Sequence, residues 1–505
     1  MSKIRFYYTN NKIPLYILMM GGYKKKIRNK FKGNSLEFIL SSTISKHILK
    51  HFKNTRYIVD QNKRLKNIKT LKMLRLVSFS TSINVFKYMK GIMYISIDKM
   101  NRETLYAKRF NLTDENYYMI KERLLKNLQS IVFNEMTSMK DIKNVYDISK
   151  IKTIEKIIFY RNFNKDLTHD MFPFNVKKVM FSYSFNMSVD ILPPSLTHLK
   201  LGDSFNKNVD NLPASLTHLK MGWKFNQPID RLPPSLTHLN LLQRFDQPID
   251  NLPSTLTHLS INSCFNRNVD NLPASLLHLH LKYWFNQPVD RLPPSLKSLT
   301  LDGRFNLTID KLPKSLLYLR VGTTFNQRVD NLPSSLKYMY FGGDFNQSID
   351  TLPDTITHLS IGINFNKQVM KYPKFLIFLH FGSVYYHPMN NLPVSLKQLI
   401  LRFKIISPLN MLPKSLDRLT LGNVDTSLDL SNLSINKLTI GCGFENIKYI
   451  PPSLTMLKII GYNKTNISNV FESIKILKIR ETYITFSKKC VNTLKQNNTR
   501  VVYID

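Results

Sequence analysis

The chain has 505 residues, with 72 Lys and Arg against 34 Asp and Glu and a formal net charge of +38. A field of that sign favours acidic proteins, nucleic acid or anionic surfaces as partners and carries no information about fold. The cysteines, Cys264, Cys442 and Cys490, lie far apart with no C-x-x-C spacing, so neither a disulfide framework nor a zinc site is indicated and a reducing compartment is the simpler reading.

Residues 1–70 are strongly basic. The apolar run Ile13–Met20 is too short to cross a bilayer. Lys3, Arg5 and Lys12 before it and Gly21-Gly22 after it resemble a signal peptide, but Lys24-Lys25-Lys26 is foreign to a cleavage region, so a cytoplasmic location is expected. Over Leu36–Phe52, the apolar residues Ile39, Leu40, Ile44, Ile48, Leu49 and Phe52 follow a helical period and predict one amphipathic helix in a small helical head. Residues 71–150 hold three weak L-x-x-L-x-L phrases at irregular spacing: Leu71, Leu74, Leu76; Ile92, Ile95, Ile97; and Leu128, Ile131, Phe133. This stretch reads as a degenerate repeat or cap region.

At Ile154, Ile157 and Phe159 the phrase is followed by Phe163-Asn164, and from Phe185 to Gly422 it recurs every 20 residues. A period this short holds one strand and a tight return but not a helix pair, so each unit buries its apolar face only against its neighbours. In Ser195–Leu201 the residues Leu196, Leu199 and Leu201 give L-x-x-L-x-L, with Leu199 and Leu201 inward and His198 and Lys200 outward by strand alternation. The aromatic column Phe185, Phe205, Phe225, Phe245, Phe265, Phe285, Phe305, Phe325, Phe345 and Phe365 predicts a stacked spine. The column after it, Asn206 and Asn226 and onward with Asp246 as an acidic exception, predicts side chains that satisfy backbone groups of adjacent turns. Pro213 or Pro233 fixes the return side.

Beyond Phe365 the pattern decays: Tyr385 and Ile405 take the Phe column, Met370 and Asn390 the Asp column, while Pro393, Leu396, Leu399 and Leu401 persist. Later strand phrases fall at Ile435, Leu438 and Ile440, at Leu454, Leu457 and Ile459, and at Ile474, Leu477 and Ile479. Residues 151–480 thus predict a solenoid with about seventeen inner strands, on the order of 80 Å long at ~4.8 Å per strand. Residues 481–505 read as a helix and a last strand that cap it.

Phe225-Asn226, Ile229-Asp230, Leu232-Pro233 and Ser235-Leu236 resemble the FNIP repeat, a leucine-rich-repeat relative of social amoebae and of amoeba-infecting giant viruses such as mimivirus. The phrase is also similar to the short leucine-rich repeats of bacterial effectors, where Leu-Pro precedes the strand. The resemblance implies an α/β to mainly β repeat solenoid, a curved array with a parallel inner sheet. It implies a non-enzymatic interaction scaffold with no cofactor and no metal, acting in the host cytoplasm if viral. Some relatives join the repeats to an F-box-like head, which would make the chain a substrate receptor for ubiquitin ligation that holds a Skp1-like adaptor. Residues 1–70 lack the Leu-Pro-x-Glu opening usual in such heads.

His198, His218, His238, His258 and His278 form an outward column that His358 rejoins, with imidazoles expected about 5 Å apart. A flat column lacks the closed geometry of a metal site; protonation near pH 6 is expected to make this face more cationic. Ser, His and Asp recur in every unit, as in Asp190, Ser195 and His198, so they are repeat columns and not a converging triad. No phosphate-binding loop or H-E-x-x-H helix is present. Function is expected where outward columns change: His280, Tyr318, Arg320, Tyr338, Tyr340, Phe378 and His380 form the predicted partner-binding patch, rich in the Tyr and Arg that dominate interface energies. The alternative is a nucleic-acid or anionic-surface binder, recognisable by steep salt dependence and disfavoured by the acidic column Asp190 to Asp350.

Overall fold

A computed structural model describes residues 154–503, apart from 160–161, 390, 406–408, 410–411, 425–426, 461–464, 468–472, 480–483 and 487, together with the strands at 94–96 and 130–133. The helix expected over Leu36–Phe52, the phrase at Leu71, Leu74 and Leu76, and Asn390 lie outside the described residues. The chain divides into two compact units, Met1–Gly91 and Ile92–Asp505, and every described residue belongs to the second.

Within that second unit the described residues build one 20-stranded sheet. Its strands pair in parallel with their neighbours in the array, from Tyr94–Ser96 through Ser130–Phe133 and Lys156–Phe159 to the last, Arg500–Tyr503. Setting aside the first two strands and the last leaves the seventeen expected from the phrase count. Two of the weak phrases before residue 150 therefore mark real strands, with Ile95 opposite Ile131 and Ile131 opposite Ile157. Two further two-stranded parallel pairs, Leu428–Asp429 with Ile447–Tyr449 and Thr465–Ile467 with Ile484–Phe486, form on the return side late in the array.

Each strand starts from a turn that the sequence dictates. The Leu216 N–H donates to the Pro213 carbonyl at 3.0 Å, and the same bond recurs from Leu236 to Pro233. Where a second proline follows, as in Pro233-Pro234, its fixed φ suits the second turn position. The next two amides, of Thr217 and His218, both donate to the Thr197 carbonyl one unit back at 3.0 Å, which locks the register at one repeat. His218 therefore lies beside His198 and Leu219 beside Leu199.

Inward columns are dry: Leu196, Leu199, Leu201 and Phe205 are buried, as are their counterparts along the array. The spine forms as expected, with neighbouring rings from Phe185 to Phe365 stacked at 6.1–6.2 Å. Phe163 extends it at one end and Tyr385 at the other.

The amide ladder also forms. Asn206 N–H donates to Asn186 Oδ1 at 2.8 Å, Asn226 N–H to Asn206 Oδ1 at 2.9 Å, and the chain of bonds runs on to Tyr386. Asp246 keeps its place in the ladder, but the bond it accepts from Asn266 N–H lengthens to 3.3 Å, and Arg267 sits against its carboxylate at 3.4 Å. The acidic exception is thus matched by a base in the next unit.

On the strand side the imidazoles from His198 to His278 stack at 4.0–4.4 Å, closer than the Phe rings of the same units. Units that lie closer together at the strands than at the spine make the strand face locally concave. At the C-terminal end, helix Lys488–Gln496 buries Leu494. It closes with Asn498 at φ 49 and a Thr499 N–H bond to the Leu494 carbonyl, a left-handed cap. Strand Arg500–Tyr503 follows, so the expected helix-and-strand end unit is present. No helix among the described residues is long and apolar enough to cross a membrane.

Candidate functional site: the strand face

Because register is constant, columns of sequence become rows of neighbours. One row reads His278, Ser298, Tyr318, Tyr338, His358, Phe378 and Gln398; the other reads His280, Thr300, Arg320, Tyr340, Ser360 and His380. Tyr318 contacts Tyr338 and Tyr340 at ring separations of 6.4 and 5.3 Å. Tyr338 stacks on His358 at 4.7 Å, and His358 on Phe378 at 5.8 Å. The fold thus gathers Tyr318, Tyr338, Tyr340 and Phe378 into one cluster, with Arg320 beside it reaching Asp302 at 3.6 Å.

His280 stands apart from that cluster, two strands before Arg320 and separated from it by the buried Thr300. His380 lies at the other flank. Its Nδ1 meets the Ser360 hydroxyl at 2.8 Å, its Nε2 has no protein partner, and burial followed by the charge of Arg402 lowers its pKa. Burial, then the neighbouring Tyr318 and Tyr338, raises the Tyr340 pKa, so its phenol remains a donor at neutral pH.

His358 was legible only as a member of the imidazole column, yet it is the ring that joins Tyr338 to Phe378. A further contact, the Arg304 guanidinium 3.6 Å over the Trp284 ring, lies past the strand ends, where the repeat phrase gives no column to follow.

The imidazole column differs from expectation in its titration. Its rings are stacked and partly buried, so protonation is disfavoured: His198, His218, His238, His258 and His358 all have lowered pKa values, with burial the first cause. Neighbouring imidazoles add to it at His218 and His258, which are pushed down to about 4. The expected gain of positive charge near pH 6 is therefore displaced to lower pH. Parallel rings also hold their lone pairs side by side, and no cluster of three or more potential ligands exists among the described residues.

The Ser and Asp columns serve other ladders. Ser215 Oγ donates to the Leu196 carbonyl at 2.7 Å, and Asp190 accepts from Asn211 Nδ2 at 3.2 Å, as Asp230 does from Asn251 at 3.1 Å. None of these groups converges on the imidazoles.

A parallel, one-strand-per-unit coil with L-x-x-L-x-L strands is a leucine-rich-repeat-like solenoid. The FNIP Repeat family matches it over residues 185–224, 209–242, 225–264, 285–324 and 325–364. The chain thus carries FNIP repeats over those residues.

It is similar to CroV588 of the giant virus CroV, whose crystal structure is described as a circular LRR protein: 34% identity over 73% of this chain and 58% of that one, TM-score 0.60. This chain therefore spans 58% of that protein's length. A fainter likeness is to YopM from Yersinia enterocolitica, at 18% identity over 70% of this chain and 83% of that one, TM-score 0.42. No curated protein matches the chain.

Proposed function

We propose that the chain is a non-enzymatic scaffold that holds a protein partner on its concave strand face, at the cluster of Tyr318, Arg320, Tyr338, Tyr340 and Phe378, with His280 and His380 at its flanks. The observation that carries this reading is the contrast within each strand. Leu319, Met339 and Leu379 are fully buried and keep the repeat pattern, while the outward residues beside them turn aromatic and cluster. Packing explains the first set and not the second, and aromatic residues with Arg are the usual anchors of interfaces. Binding rather than catalysis is supported by the fate of Ser, His and Asp, each of which serves its own ladder.

Nucleic acid fits this face less well. Base stacking needs free ring faces, and here Tyr338, His358 and Phe378 spend theirs on each other. A role as substrate receptor in ubiquitin ligation would add a Skp1-like adaptor held by residues 1–70. Its test is recovery of that adaptor with the full chain and its loss when those residues are removed.

The scaffold reading is tested with a photo-crosslinking phenylalanine analogue placed at Tyr338, or as a control at Asp250 on the return side, in cells that express the chain. A polypeptide adduct from Tyr338 and none from Asp250 is expected. Equal adducts from both positions, or none from Tyr338, overturn the assignment.

A further inference from the structure

The unit over residues 371–390 breaks the repeat in a way that its own fold gains nothing from. In the column where Thr355 and Ser395 stand, it carries Phe375. Thr355 Oγ1 donates to the Ser334 and Leu336 carbonyls at 2.7 and 2.9 Å, and Ser395 Oγ donates to the Lys374 and Leu376 carbonyls at 2.9 and 2.8 Å. A phenyl ring can make neither bond. Two columns on, Ile377 replaces Thr357, whose hydroxyl donates to the Lys337 carbonyl at 3.1 Å. Phe378 then replaces His358.

The substituted side chains are not buried in exchange: Phe375 is 54% exposed and Ile377 42% exposed, and Val394 in the next unit is 85% exposed. They continue the row Tyr338, His358, Phe378 toward the start of the strands. A local rule broken without a structural return marks a place selected for something else, and contiguous exposed apolar surface marks a partner site.

Charge identifies the partner. Lys337 and Lys397 occupy the column of Ile377, two strands before it and one strand after it, and among the described residues neither forms an ion pair with a carboxylate. The carboxylates nearby are engaged: Asp302 by Arg320 at 3.6 Å, Asp354 by Lys371 at 3.6 Å, Asp344 by Asn364 Nδ2 at 3.0 Å, and Asp417, one strand past Lys397 in its column, by Arg418 at 3.2 Å and Asn436 Nδ2 at 2.7 Å. Lys374 Nζ lies 5.6 Å over the Phe375 ring and adds a further positive charge.

Resting on the scaffold reading above, we propose that this face docks an acidic segment of a partner protein, with apolar side chains against Phe375, Ile377 and Phe378 and carboxylates on Lys337 and Lys397. The two lysines are three strand spacings apart, about 14 Å at ~4.8 Å per strand, which an extended chain covers in about four residues. The segment therefore carries two acidic residues about four positions apart with apolar residues between them.

The probe is a displayed library of random 12-residue peptides selected on the immobilised full chain. Enriched peptides are then synthesised and titrated by fluorescence anisotropy. The variant F375S/I377T/F378H restores residues that stand in the same columns elsewhere, so it keeps the fold and regains hydrogen bonds. It is expected to weaken binding at least tenfold, as are K337E/K397E and Y338A/Y340A.

Peptides without the acidic pair, or with affinity unchanged by K337E/K397E, overturn the partner class while the scaffold reading stands, provided Y338A/Y340A still weakens them. Binding unchanged by Y338A/Y340A overturns the scaffold site itself. A library that enriches nothing, or selected peptides displaced by a uridine oligonucleotide that binds with steep salt dependence, overturns the proposal, the latter in favour of nucleic acid.

Discussion

The Nδ1 of His218 lies 2.9 Å from the hydroxyl of Thr217, whose single hydrogen is already donated to the Thr197 carbonyl at 3.0 Å. With that hydrogen committed, the hydroxyl oxygen accepts, and the imidazole must supply the proton from Nδ1. The same pair of contacts recurs at Thr197 with His198, Thr237 with His238, Thr257 with His258 and Thr357 with His358. Each of these five imidazoles is therefore the Nδ1–H tautomer, with a bare Nε2. Nitrogen-15 spectra of the histidine side chains at pH 7.5 should show these five rings protonated at Nδ1. Replacing Thr217 with Val should return His218 to a mixture of tautomers. Protonation of the five rings at Nε2 would contradict the arrangement.

The same column makes the fold sensitive to acid. The His218 and His258 pKa values are held at about 4, below the ordinary value of 6.5, so the unfolded chain binds protons first as pH falls. Their contribution is fully present above pH 6.5 and is lost progressively as pH drops toward about 4. Melting temperature measured at constant ionic strength should fall from pH 7.5 to pH 5. The double variant H218Q/H258Q should flatten that fall. A slope unchanged in the variant would place the acid sensitivity elsewhere.

The inner half of this architecture was legible because packing asks the same question in every unit. Leu199, Phe205 and Asn206 answer it identically for many turns, so strand, spine and ladder could be read as columns. The strands at Tyr94–Ser96 and Ser130–Phe133 were visible only as loose phrases, since the distance between them is not 20 residues and no Phe-Asn pair follows at the offset that Phe205-Asn206 keeps from Leu201. Titration was illegible because it depends on ring spacing and partial burial, which no column of letters records. The outward cluster was found by asking where columns stop repeating. That question pointed at Tyr338 and Tyr340 but passed over Phe375 and Ile377, whose oddity appears only once the missing hydroxyl bonds are seen in neighbouring units.

Asn306 tests the ladder in mid-array. Its Oδ1 accepts the Asn326 N–H at 2.8 Å and also Gln327 Nε2 at 3.2 Å. Asn306→Ala leaves the Asn326 amide without its partner, a loss of about 1–3 kcal/mol. Asn306→Asp keeps an acceptor and should lose less, as Asp246 shows by holding the same position with a bond of 3.3 Å. Urea unfolding of the two variants ranks them. Equal losses would mean that the side chain, and not its acceptor oxygen, is what the position requires.

Gly342 and Gly343 are adjacent in sequence and opposite in consequence. A Cβ at Gly342 would sit 2.0 Å from the Gly322 carbonyl oxygen, far inside contact distance, and the clash is with backbone that cannot swing away. One residue later, a Cβ at Gly343 meets nothing closer than the Thr323 methyl at 3.3 Å, and its backbone is not in the left-handed region. Gly342→Ala must push two units apart at the point where strands hand over to the return. It should therefore destabilise the fold by several kcal/mol, in the range reserved for core disruption. Gly343→Ala should be neutral or stabilising by up to about 1 kcal/mol, because it removes freedom from the unfolded chain and asks only the Thr323 side-chain methyl to give slightly. Thermal melts of the two variants side by side decide the matter: similar losses would show that the chain tolerates no substitution there at all, whereas the contrast would locate the constraint in the close approach of one carbonyl.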